Sequence, residues 1–80
     1  MLEHDVQIQV KQIVSEHFSQ SLTDLDDSKG PGELPGWDSL GHLQLVRSLE
    51  QHFQLQFSVY DIMAFNSIRE ISETISQLLK

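Results

Sequence analysis

Apolar residues return every three or four positions at the start of the chain, where Val6, Val10, Ile13, Val14 and Phe18 follow Leu2, with Glu3, Gln7, Lys11 and Gln12 among the polar residues between them. That period predicts an amphipathic first helix over roughly 2–18. Residues 19–38 break it. They carry Asp24, Asp26, Asp27, Ser28, Gly30, Pro31, Gly32, Pro35 and Gly36, a density of turn formers that no long helix sustains. A long loop is expected there, pinned to the core by Leu22, Leu25 and Leu34. A connection of about twenty residues points to function rather than linkage alone.

Helical period resumes with Leu40, Leu43, Val46, Leu49 and Phe53, and either Asp38 or Ser39 can cap the first turn. Ser58 with Asp61 is the weaker start signal, for a short helical turn through Ile62 to Phe65. Ser67 with Glu70 reads as a capping box before a last helix over 68–79. Its apolar face would hold Ile68, Ile71, Ile75, Leu78 and Leu79, with Arg69, Glu70, Glu73 and Gln77 toward water. No segment alternates as a strand would, so the expected fold class is all-α: a four-helix bundle with a short third helix and a long loop between helices 1 and 2. Eighty residues fit a single domain, 1–80, with a modest core.

Charge narrows the partners. Twelve acidic residues against five basic ones give a formal charge of −7, which argues against nucleic acid and makes a basic surface the natural complement. With no cysteine there is no disulfide, thiolate metal site or thiol nucleophile. The start Met1-Leu2-Glu3-His4-Asp5 lacks the pattern of a secretory signal, and no apolar run has membrane-spanning length. A cytoplasmic monomer with no membrane partner is the expectation.

The segment Leu34-Pro35-Gly36-Trp37-Asp38-Ser39-Leu40-Gly41-His42-Leu43 sets a serine hydroxyl where a Gly/Pro-rich loop becomes a helix. The unpaired amides and positive dipole end there would stabilise a phosphodiester on that serine. Taken alone, Asp38 and Ser39 read as a plain N-cap that needs no chemistry. Asp38-Ser39-Leu40 resembles, residue for residue, the signature that opens the second helix of the acyl carrier protein family. The resemblance continues through Leu43, Leu45, Val46, Leu49, Glu50 and Phe53 and the step Phe65-Asn66-Ser67-Ile68, covering residues 36–79; helix 1 fits by period only.

The resemblance implies a carrier rather than an enzyme, with 4′-phosphopantetheine from coenzyme A joined covalently to Ser39. Asp38 would present that serine and a metal ion within the transferase complex, Leu40 completes the signature, and the carrier itself has no catalytic or metal-binding residue. The implied partners are a phosphopantetheinyl transferase, a cargo-loading ligase or acyltransferase, and a downstream synthase or transferase. Trp37, Leu43, Arg47 and Glu50 are candidate partner-recognition positions, Trp37 being equally able to pack the loop against the bundle. The sequence departs from carriers of bacterial fatty-acid synthesis, because Gly41, His42, Gln44, Arg47 and Ser48 occupy a region that is acidic in them. Asp38 before the serine, unlike the histidine of many peptidyl carriers, favours an acyl or small hydroxyacyl cargo in a specialised biosynthetic pathway. The alternatives are a peptidyl or aminoacyl carrier and a non-covalent helical interaction module.

Other patterns carry less. Residues 24–30 look like a calcium loop, yet Lys29 holds the sharp-turn position and Pro35 the place of the closing acid, so a solvated acidic loop is expected. His4, His17, His42 and His52 have no metal-ligand spacing. A serine hydrolase would need a strand before Trp37, and none is predicted. Phe18, Phe53, Phe57 and Phe65 read as core filling, which leaves little room for a long acyl chain and predicts a short or polar cargo. Partners are expected to dock by opposite charge along the loop and helix 2, with association weakened by salt.

Overall fold

The computed structural model describes residues 3–80, so the predicted helical position Leu2 lies outside the described residues. Among them are four α-helices and no strand: α1 Glu3–Phe18, α2 Ser39–Phe53, α3 Val59–Met63 and α4 Ile68–Leu78. A single 3-10 turn, Leu22–Asp24, interrupts the long connection, and sequence period gives no sign of it. No helix among the described residues is long and apolar enough to cross a membrane.

The 3.6-residue period of α1 turns Val6, Val10 and Val14 inward, and all three are fully buried. They belong to the same core as Ile68, Ile71 and Ile75 of α4, and α1 packs more extensively against α4 than against α2. Small residues complete the packed face of α4, since Ser72 and Ser76 are buried there; the Ser72 hydroxyl donates to the Ile68 carbonyl one turn back, at 2.8 Å. Leu78 and Leu79, expected on that face, are instead exposed. Leu78 lies at the edge of the stripe, and Leu79 is the C-cap beyond the last turn.

The long connection is held mainly by its backbone. Leu25 is buried and Leu34 half-buried as expected, but Leu22 is exposed and pins nothing. The Ile68 amide donates to the Lys29 carbonyl at 2.8 Å and the Arg69 amide to that of Asp27 at 3.0 Å, so the loop satisfies amides that an α4 N-terminus cannot satisfy itself. The crossing requires glycine, because a Cβ on Gly30 would stand 2.0 Å from the Asn66 carbonyl oxygen. The Asp27 carboxylate pairs with Lys11 of α1 at 3.1 Å and accepts from the Gln7 amide. The Ser28 amide donates to Asp26, which holds that exposed carboxyl below the ordinary range. Asp26 thus holds a turn, and Asp27 ties the loop to α1.

The two helix-start signals exchange roles. At α3, the Ser58 hydroxyl accepts from the Asp61 amide at 3.1 Å while the Asp61 carboxylate accepts from the Ser58 amide at 3.0 Å, a complete capping box. At α4, Ser67 caps the Glu70 amide, but the Glu70 carboxylate turns to the Asn66 amide at 3.2 Å. The short helix also stops earlier than expected, at Met63, which leaves Phe65 to enter the core from the turn that follows.

Candidate functional site

Asp38 decides where α2 begins. Its backbone is extended, and its Oδ1 accepts from the Gly41 amide at 2.8 Å while its carbonyl accepts from the His42 amide at 2.8 Å. The choice between Asp38 and Ser39 as cap therefore falls on Asp38, and Ser39 is the first helical residue. Relieved of capping duty, the Ser39 hydroxyl sits on an exposed residue at the positive end of α2.

Close packing of the loop sets this geometry. Gly41 is buried, and a Cβ there would meet the Gly36 carbonyl oxygen at 1.9 Å, so the loop backbone lies directly on the first turn of α2. Gly36 turns with φ +86. The indole of Trp37, next along the chain, stacks on Phe18 with ring centroids 5.0 Å apart. Trp37 is only 1% exposed, so it packs the loop and presents no surface to a partner.

The Trp37 indole N–H donates to His42 Nδ1 at 3.0 Å. An indole can only donate, so Nδ1 is the unprotonated nitrogen and Nε2 carries the hydrogen, which it gives to the Ile62 carbonyl of α3 at 3.2 Å. One neutral imidazole thereby joins the loop, α2 and α3. Both of its nitrogens are engaged, so His42 holds no free base for the Ser39 hydroxyl one turn earlier. In the sequence His42 stands out only as one of four histidines without metal-ligand spacing and as part of a non-acidic stretch, and neither feature signals this bridge. Its bridging role follows from a tryptophan five residues earlier across the loop-to-helix junction, a spacing without an established meaning.

The remaining predicted positions divide. α2 turns Gly41, Leu45, Val46, Leu49 and Phe53 inward, which puts Leu40 and Leu43 on the opposite side, 65% and 53% exposed. They were expected in the apolar stripe and are not. Arg47 is exposed on the same side. Glu50 is half-buried and its carboxylate accepts from the Phe57 amide at 2.9 Å, so it fastens the turn after α2. Two open grooves of about 430 and 400 Å³ meet at Ser39 and His42; the first is walled by Trp37 and Pro31, the second by Leu43 and Met63.

An exposed serine at a helix start beside open grooves fits a long, flexible group attached from outside. Residues 8–75 match the family model described as the phosphopantetheine attachment site. No curated protein matches the chain.

Proposed function

We propose, for a chain that belongs to the phosphopantetheine-attachment family by a match spanning residues 8–75 of its 80, that Ser39 is the residue bearing the group. In this family 4′-phosphopantetheine is attached covalently by a phosphopantetheinyl transferase, and the domain carries substrates among enzymes. The group supplies a thiol on which an acyl cargo is held as a thioester.

The observation that supports Ser39 is the division of labour with Asp38, which caps α2 and leaves the neighbouring hydroxyl outward and uncommitted. Ser39 Oγ would attack the pyrophosphate of coenzyme A at the phosphorus bound to pantetheine. The bond to the departing adenosine 3′,5′-bisphosphate breaks, and the serine proton leaves to a base of the transferase, since His42 is engaged on both sides. Incubation with coenzyme A, magnesium and a broad-specificity transferase should add the mass of one phosphopantetheinyl group, and peptide mapping should place it on Ser39. An unchanged intact mass beside a fully modified control carrier would leave only the non-covalent interaction module.

The cargo on this reading is a short acyl or small hydroxyacyl group of a specialised pathway. Phe53, Phe57 and Phe65 are buried, and Phe57 meets Phe65 edge-on at 5.0 Å. A long chain entering between the helices would have to displace these rings, and overfilling a packed core costs about 1–3 kcal/mol. The cargo should therefore stay in the open groove by Leu43 and Met63. Loading matched short and long acyl groups should leave the amide shifts of Val46 and Ile68 alike in the two forms. Large shifts at Val46, Phe65 and Ile68 with the long chain alone would show that it is sequestered.

A further inference from the structure

Few of the acids that dominate the composition lie on the helices around Ser39. α2 with its N-cap and α3 contain three, Asp38, Glu50 and Asp61, and each carboxylate accepts a backbone amide: those of Gly41, Phe57 and Ser58. Beside Ser39 the two helices expose a set of large apolar residues. Leu40 and Leu43 on α2 are joined by Val59, Tyr60 and Met63 on α3, which are 68%, 85% and 75% exposed. Leu43 and Met63 line the same groove as Ser39, so the apolar surfaces of the two helices meet beside that serine. The charge on the outer side of α2 is positive, because Arg47 follows Leu40 and Leu43 on that side.

We propose that the enzymes acting at Ser39 dock on this patch through an apolar surface carrying a carboxylate for Arg47, and not through a basic surface. The proposal rests on the reading of Ser39 as the attachment residue, because an enzyme reaching that hydroxyl must cover the patch beside it. It replaces the expectation of salt-sensitive docking drawn from the net charge. Apolar contact survives salt, whereas attraction between exposed charges is screened within about 10 Å at ordinary ionic strength. A second copy of the chain is the poorer occupant, since two molecules of formal charge −7 repel and their Arg47 side chains would face no acid of this patch.

The test measures KM and kcat of a broad-specificity phosphopantetheinyl transferase for the apo protein, by intact mass, from low to high sodium chloride. The KM of the unaltered chain should change by less than about twofold between about 50 and 500 mM salt. Met63→Asp should raise KM about tenfold with kcat nearly unchanged, Met63→Leu should restore it, and Arg47→Glu should raise it several-fold. Glu73→Gln, an exposed α4 acid outside the patch, should change nothing. A KM that climbs steeply with salt, an improved KM in Arg47→Glu, or an unaltered KM in Met63→Asp would overturn the proposal. A dimer detected by light scattering and dissolved by Met63→Asp would overturn it too, by giving the patch to self-association. Failure of the unaltered chain to gain mass at any concentration would remove the Ser39 reading itself, an outcome distinct from modification with the wrong salt dependence.

Discussion

Ser39→Ala should take up no phosphopantetheine and yet unfold at close to the temperature of the unaltered chain. The hydroxyl is the proposed nucleophile, so its removal abolishes modification outright. Its structural duty is slight, because Asp38 supplies the capping oxygen of α2 and Ser39 is an exposed first-turn residue. Alanine is the better helix former, and exposed changes of this kind stay within about 0.5 kcal/mol. Asp38 separates capping from presentation. Asp38→Ala loses the bond to the Gly41 amide and should cost about 0.5–2 kcal/mol. Asp38→Asn can still cap, so if the charge helps present the serine and its metal ion to the transferase, the variant should keep its melting temperature and lose modification rate. Intact mass and thermal circular dichroism on the same samples decide both points, and modification of Ser39→Ala at an undiminished level would refute the assignment.

Gly41→Ala should be the most destabilising single methyl group near the site. In an exposed helix the same change would stabilise by about 1 kcal/mol. Here the added carbon falls 1.9 Å from the Gly36 carbonyl oxygen and 3.2 Å from a ring carbon of Phe18. The obstacle is backbone, so relief requires lifting the loop that positions Trp37. A net loss of at least about 2 kcal/mol is expected, which lowers the melting temperature of a domain this size by roughly 8–16 °C. The Trp37 emission should shift to the red as its indole leaves the stack on Phe18. An unchanged midpoint and emission would mean that the loop gives way without cost.

Much of this could be read before any coordinates. The helical period located α1, α2 and α4, because one face of each meets a core and the residue type records that. The serine at the start of α2 was legible for a similar reason, since turn formers end where apolar period begins. Leu40 and Leu43 misled because leucine marks either a core or a docking face, and the α2 register set by Asp38 turned them outward. Ser72 and Ser76 hid the opposite way, being polar letters in a packed stripe where small volume mattered. The net charge describes the whole chain, whereas α2 with its N-cap and α3 carry only three of the twelve acids, a distribution that composition does not reveal. The loop's attachment to α4 was invisible, because carbonyl and amide groups occur at every position and leave no trace in residue type.

That attachment has a consequence for hydrogen exchange. The Ile68 and Arg69 amides would be among the fastest to exchange at an ordinary helix start, where fraying exposes the first turn. Here their acceptors are the carbonyls of Lys29 and Asp27, residues some forty positions earlier in the chain. Neither amide can reach solvent unless the loop lets go, and the loop cannot let go without stripping α4 of its cap. The connection that lies over the start of α2 and the start of the last helix should thus open as one cooperative unit, with matching protection on both sides of the join.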